Sequence, residues 1–543
     1  MTNYDYIVVG AGSGGAVMAA RLSEIPDARV LLLEAGPEDT AFWITPPMGY
    51  PMLFTDPKVN WMFETEPEAE LNDRRMYQPR GKVLGGSSAI NGMLYIRGHP
   101  EDYDGWRQLG NTGWGWDDVL PYFRKAEDNA RGTDDLHGTG GPLHVSDQAG
   151  GSEVADAIVA AACEAGLPRN PDFNGPTQDG AGYFQTTTKD RRRHSTARAY
   201  LKPARTRANL TVVTGAQTTR VLTEGRRAVG VEYRRRGLIE TVRLSERGEV
   251  VLSAGSFGSP QILLQSGIGP ADHLNDRGVP VVHDLRGVGE NLRDHFYCSL
   301  MFRCRKPVTI NELANSRLRQ LIAGAQYVLF KQGPLASNGI FAGVFARSSP
   351  DKHRPDIQIN TNMWSVAART SAGMKAHPFP GFTMSPVHLD PRSTGTIRLK
   401  SNDPTAAPEI RMNFFRDPVD RDTMVRAVRL VRRIASQPAL SAYMDHEIAP
   451  GAEHATDDEI ETWLRGAAIA NLHPVGTCQM GPDPASGAVV DPRLRVHGIG
   501  GLRVVDGAVM PRLPHGNTNA PIIMVAEKAA DMMKQDRKEG PHG

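Results

Sequence analysis

The sequence predicts an α/β plus α+β fold: a nucleotide-binding domain on a parallel sheet, interrupted by a second domain built on an antiparallel sheet. Three observations predict it. The first 35 residues read as strand, glycine loop, helix and second strand. From about Asp294 to Pro450 the composition changes and short strands recur. A late strand and a closing helix, after Leu502, fit a return to the first sheet. With 543 residues the chain exceeds one simple core, so two domains are expected.

The N-terminal unit carries the strongest local signal. In "YDYIVVGAGSGGAVMAARLSE" the apolar run Tyr6 to Val9 has the pattern of a buried parallel strand. The loop Gly10-x-Gly12-x-x-Gly15 follows, then Ala-rich helical sequence. Gly10 allows the tight turn, Gly12 lets the backbone approach a pyrophosphate, and Gly15 lets the helix pack close to the strand. The helix N-terminus presents free N–H groups to the phosphates. The next strand, "ARVLLLE", ends in Glu34, about 20 residues past the loop, where an acid suits a ribose 2′-hydroxyl and repels a 2′-phosphate. Gly10, Gly12, Ser13, Gly14, Gly15, Glu34 and Ala35 are therefore candidate dinucleotide contacts. The unit fits NAD and FAD alike.

The remaining elements follow in order. "YQPRGKVLGGSSAINGMLYIRG", Tyr77 to Gly98, is dense in small residues, which let a backbone lie flat against a planar or phosphorylated ligand. Asp117 reads as a helix start, with Pro121 in its first turns and the nearby tryptophans as core. "TGGPLHVS" reads as a strand after a turn. The stretch from Asn209 to Gly255 reads as a β-meander returning to the nucleotide domain. "GSFGSPQILLQSGIG" opens a helix after a glycine turn. In the second domain, "GFTMSPVHL" and "TGTIRLKS" are expected strands, and "VDRDTMVRAVRLVRRIASQ" is an amphipathic helix. The tail "KQDRKEGPHG" reads as a frayed end.

Composition excludes several classes. Net charge is +1, from 62 Lys+Arg against 61 Asp+Glu, so nothing points to nucleic acid or to a membrane surface. The clusters Arg191-Arg192-Arg193 and Arg234-Arg235-Arg236 read as solvated turns or hairpin rims. Four cysteines (Cys163, Cys298, Cys304, Cys478) show no metal spacing, so no metal is expected and a reducing compartment fits. No run of 18 apolar residues is present and "MTNYDYIVVG" lacks a signal-peptide pattern, so no membrane span and a cytoplasmic location are expected.

Five ordered motifs resemble the glucose–methanol–choline (GMC) oxidoreductases, a family of FAD enzymes, over nearly the whole chain. They are the N-terminal unit, "GKVLGGSSAINGMLYIRG", "GSFGSPQILLQSGIG", "LHPVGTCQMG" and "GNTNAPIIMVAEKAAD". The bacterial alcohol, choline and hydroxymethylfurfural-type members are closest in character. The resemblance implies a Rossmann-like FAD-binding domain made of residues 1–150, 205–293 and 456–543, with a substrate domain made of 151–204 and 294–455. It implies that His473, before Pro-x-Gly-Thr, faces the flavin where the alcohol binds, and that Asn517 is its partner. It further implies flavin contacts at Val83, Gly86, Ser87, Asn91 and Gly92, an adenine contact through the Val221 backbone, and contacts at Ala254, Asp506, Asn517 and Thr518.

The implied reaction is oxidation of a primary alcohol to an aldehyde, with His473 taking the hydroxyl proton and flavin N5 taking the hydride. An imidazole near its ordinary value of about 6.5 suits that role. Asn517 does not titrate in the useful range and orients the hydroxyl. The electron acceptor is expected to be oxygen or a quinone- or dye-type molecule; oligomeric state is left open. Some choline-oxidising members bind FAD covalently through a histidine in the first signature. Ile90 stands there, so the FAD is expected to be noncovalent. Choline dehydrogenases carry a glutamate before Ala-Gly in a segment similar to "GPLASNGIFAGVFARS". Phe341 stands there and favours an uncharged aromatic or medium-chain alcohol. Trp61, Phe63 and Trp364 are candidates for the same pocket, each also read as core, while His99, His144 and His295 read as structural. The alternatives are a choline dehydrogenase and a flavin lyase without net redox.

Overall fold

In the computed structural model, which describes residues 3–370 and 373–539, the apolar runs at the N-terminus become the centre of a parallel sheet. Strand β1 (Tyr4–Val9) pairs in parallel with β2 (Val30–Leu33), and helix α1 (Ser13–Leu22) crosses between them. Ile7, Val8 and all four residues of β2 are buried, as expected for a strand covered on both faces. Leu210–Val213 extends the sheet beyond β2. The meander forms as expected. Ala216–Glu224, Arg227–Arg235 and the first half of Leu238–Leu252 are antiparallel, and the second half of Leu238–Leu252 pairs in parallel with β1. Leu502–Val504 joins Leu238–Leu252 in parallel, so the chain closes on the sheet where it began.

The last helix, Asn519–Glu539, packs on α1, and Arg21 of α1 donates to the buried Glu527 at 2.8 Å. The tail expectation needs correction. Helix continues through Lys534 to Glu539, held by Lys534–Glu24 at 2.7 Å and Arg503–Asp536 at 2.7 Å. Residues 540–543 lie outside the described residues.

The second sheet is antiparallel, in the order Met444–Ala449, Leu300–Cys304, Gly381–His388, Ile357–Asn362, Ile340–Ala346, Gly180–Tyr183. The amphipathic Pro418–Ala435 helix buries Met424, Val428, Val431 and Ile434 against it. One short strand links the segment before His473 to this sheet: Ile469–Ala470 pairs with Phe296–Tyr297, which pairs with Gly381–His388. Of the arginine clusters, Arg193 departs from expectation. It is buried, because its guanidinium donates to Ile44 O, Ser88 O and the Asn91 side chain. No helix of the described residues is long and apolar enough to cross a membrane.

Candidate active site

A cavity of about 650 Å³ runs between the two sheets, a size ordinary for a cofactor and small substrate. Its nucleotide end is built from backbone. Gly10, Gly12, Ser13, Gly14, Glu34, Ala35, Gly86, Ser87, Asn91, Gly92, Ala254, Asp506, Asn517 and Thr518 all line the cavity. Gly10 turns at φ +92°, and a Cβ there would lie 2.5 Å from Ser253 O. Gly15 sits behind the wall, where a Cβ would be 1.8 Å from Gly10 O, which is the close helix–strand packing its spacing predicts. The α1 N-terminus has no side-chain cap and no acid in its first turn, leaving its N–H groups free for phosphate.

Glu34 accepts from Ala11 N–H and Gly36 N–H, both at 2.8 Å, and burial pushes its carboxyl up to about 7. Asp506 is buried and accepts from Gly255 N–H, the Ser259 hydroxyl and Ala508 N–H. Two expectations fail here. Val83 packs behind the glycine turn with Ile44, Leu53, Val59 and Ile90, off the cavity wall. Val221 is buried and its N–H is taken by the Ser266 hydroxyl at 2.8 Å. Ala216 to Thr219 of the same strand reach the wall instead. The Thr218 hydroxyl is buried there with no protein partner, which fits a wall that meets a bound nucleotide.

The other end is built from side chains. His473 lies in a loop held at both sides: Ala470 pairs with Phe296, and Val475 bridges Arg293. The loop therefore spans Asp294 and His295. Asp294 accepts the His473 backbone N–H at 2.7 Å, and Asn471 N–H donates to His295 O at 2.7 Å. The two imidazoles meet, with His295 Nδ1 and His473 Nδ1 3.0 Å apart. His295 Nε2 lies 3.1 Å from Leu389 O.

A carbonyl only accepts, so His295 Nε2 carries the proton and its Nδ1 is the acceptor. His473 then donates from Nδ1, and its Nε2 is the unprotonated, accepting nitrogen. That Nε2 faces the cavity, 3.2 Å from the Asn517 amide nitrogen. The Asn471 amide nitrogen lies 3.2 Å from His473 Nδ1, and an amide flip would present its oxygen to the protonated Nδ1. Gln358 donates to the Asn517 amide oxygen at 3.4 Å.

The corner is enclosed and carries charged groups. Burial, with the Arg80 cation near, drives the His473 imidazole down to about 3, not near its ordinary value as expected. Burial and the facing His473 hold His295 well below the usual range, and its contact with His473 sets it apart from a simple core histidine. Arg80 is half-buried, its Nη1 donating to Leu472 O at 2.9 Å, and desolvation lowers it to about 10. Burial pushes Asp294 up to about 7, against Arg80 and the backbone N–H groups of His473, Leu472 and His295. Arg80, Asp294 and His295 carried no motif. Arg80 lies inside the quoted glycine-rich segment, and its position before Gly81-Lys82 was the one signal available.

Around the His473 end stand Trp61, Phe63, Phe257, Tyr297 and Trp364. Trp61 stacks on Phe63 at 5.6 Å. These tryptophans and Phe63 line the cavity and are not sealed core. Phe341 does the reverse. Successive strand residues face opposite ways, so Ile340 reaches the cavity and Phe341 packs into the core of the antiparallel sheet. The only carboxylates among the described residues lining the cavity are Glu34 and Asp506, both at the nucleotide end.

Known proteins share this architecture. The GMC oxidoreductase family models match residues 4–297 and 391–526. An alcohol dehydrogenase [acceptor] of Pseudomonas putida is 43% identical over 98% of this chain and 95% of its own. An oxygen-dependent choline dehydrogenase of Chromohalobacter salexigens is 43% identical over 98% of this chain and 95% of its own. Pyridoxine 4-oxidase from Mesorbium loti superposes with a TM-score of 0.88 at 31% identity, covering 99% of this chain and 100% of that one. With both family models matched and these relatives aligned end to end, the chain belongs to the GMC oxidoreductases and is an FAD-dependent oxidoreductase.

Proposed function

We propose that this enzyme oxidises an uncharged primary alcohol, aromatic or of medium chain length, to the aldehyde. The observation that carries the reading is the unprotonated Nε2 of His473 on the cavity wall, paired there with the Asn517 amide N–H. FAD, when bound, supplies the hydride acceptor. The residues that would hold it are those of the glycine turn, Glu34, the Gly86–Asn91 segment, Asp506 and Thr518.

The chain's own groups handle the proton. The substrate hydroxyl sits within reach of both His473 Nε2 and Asn517, and Asn517 orients it with one hydrogen bond. As the carbon loses hydride, the hydroxyl proton passes to His473 Nε2 and the C–O bond becomes the carbonyl. The positive charge that develops on His473 is shared through its Nδ1–H with His295, whose own Nε2–H is anchored on Leu389 O. The low proton affinity of the resting imidazole keeps it neutral at every physiological pH.

The catalytic end supports an uncharged substrate. A quaternary ammonium needs an aromatic cage and a carboxylate. Aromatics stand here, but no carboxylate does among the described lining residues. Ile90 lines the cavity and offers no atom for a covalent flavin bond, so the FAD is held noncovalently. The names of the relatives supply the competing substrate, choline. The test is an alcohol panel including choline, assayed with oxygen and with a dye acceptor while the aldehyde is measured. Higher kcat/KM for benzylic and aliphatic alcohols supports the reading, and a clear preference for choline overturns it. Cyanohydrin cleavage with no acceptor consumed would place the site among lyases.

A further inference from the structure

The Arg317–Phe330 helix turns its apolar residues outward. Only Ala323 and Tyr327 of its fourteen residues are buried. Leu318, Leu321, Ile322 and Leu329 recur at helical spacing on the face opposite that buried pair. Leu321 is 72% exposed, Leu329 is 70% and Phe330 is 66%. A surface helix ordinarily buries such a stripe, so this one is inverted.

The patch continues beyond the helix. Tyr327 donates to Arg191 O at 3.1 Å and to Thr45 O at 3.4 Å, which fixes the Phe42–Ile44 turn alongside. Phe42 and Trp43 are exposed on that turn, ring edge to face at 5.0 Å. Met52 is exposed on the Tyr50–Leu53 helix, whose Tyr50 lines the cavity. The apolar face therefore borders the cavity wall.

Its charges are mostly positive, with Asp190 the exposed acid beside Arg191. The helix holds Arg317 and Arg319 and no acid, Lys331 follows it, and Arg191 and Arg192 are exposed beside it. Two copies packed face to face would set these cations against one another. Leu, Ile, Phe and Trp flanked by Arg and Lys is the composition of a helix that lies in a bilayer interface. Anionic headgroups supply the matching charge. The balanced charge of the whole chain concealed this local bias.

We propose that the Arg317–Phe330 helix and the Phe42–Trp43 turn form a docking face for an anionic lipid surface. The inference is independent of which alcohol is oxidised. Seated this way, the cavity neighbours a phase that dissolves long-chain alcohols and quinones.

The test is vesicle flotation of the FAD-loaded enzyme. Phosphatidylcholine vesicles containing phosphatidylglycerol should carry it upward, and phosphatidylcholine alone should carry much less. Leu321→Glu/Leu329→Glu should weaken binding by about tenfold or more while flavin content and dye-coupled activity stay unchanged. Arg317→Gln/Arg319→Gln, which leaves the apolar stripe intact, should weaken binding by about tenfold, and added salt should do the same. The proposal is overturned by absence of flotation with the anionic vesicles, or by flotation equal in both variants. It is also overturned if sedimentation shows a dimer that Leu321→Glu/Leu329→Glu converts to monomer.

Discussion

The two ends of the cavity are made of different material. The nucleotide end is backbone: a glycine turn, an uncapped helix N-terminus and the N–H groups that pin Glu34. The catalytic end is side chain: His473, His295, Asn517, Arg80 and Asp294, brought together from four separate stretches of chain. A backbone site is damaged by adding atoms, and a side-chain site by removing them. Variants at the two ends should therefore fail in opposite ways.

The largest expected effect belongs to the nucleotide end. Gly15→Val puts a branched side chain where even a Cβ lies 1.8 Å from Gly10 O. The protein should purify without yellow colour, read as the absorbance ratio of flavin to protein. Normal FAD content in that variant would show that the turn tolerates displacement.

The catalytic end should break the other way. His473→Ala should keep its FAD and slow alcohol-dependent flavin reduction by about 10²–10⁴-fold, the range for one positioned base. Stopped-flow reduction under anaerobic conditions measures it. Reduction at a near-normal rate would remove His473 from the proton transfer.

His295 sharpens the contrast because it acts through His473. His295→Ala removes the acceptor that fixes the His473 tautomer, and should slow reduction by about 10–10²-fold with FAD retained. His295→Gln, whose amide supplies a donor and an acceptor, should recover part of the loss. The pH profile separates this from mere structural damage. His473 stays neutral down to about pH 3, since burial disfavours its charged form. Reduction should therefore vary by less than about twofold between about pH 5 and about pH 6, where an ordinary imidazole would lose about eightfold. In His295→Ala the Nδ1 and Nε2 tautomers interchange and the plateau should drop at every pH.

Asn517 carries the smallest effect. Asn517→His should keep measurable turnover, since both residues can hydrogen-bond the hydroxyl, and Asn517→Ala should lose more. The opposite ranking of kcat/KM would contradict an orienting role.

The same difference in material explains what the sequence made legible. Gly10, Gly12, Gly15 and Glu34 follow one another within a single strand–loop–helix–strand unit, so periodicity and spacing expose them. His473 is legible through a motif, but not its environment. Its lowered proton affinity comes from burial and from Arg80, almost 400 residues away in the chain, to which no local pattern points. His295 looked structural because its partner is 178 residues distant. Phe341 failed for a related reason. A strand's alternation shows that neighbours face opposite sides, but the register that decides which side meets the cavity is set by the sheet.

The account rests most directly on one event, transfer of reducing equivalents from an alcohol to the bound flavin. Anaerobic mixing of the purified yellow enzyme with excess benzyl alcohol or a medium-chain primary alcohol measures it. Bleaching of the flavin absorbance, with one aldehyde formed per flavin, is the result predicted. Flavin that stays oxidised through the whole alcohol panel, in protein whose FAD content is full, would contradict it.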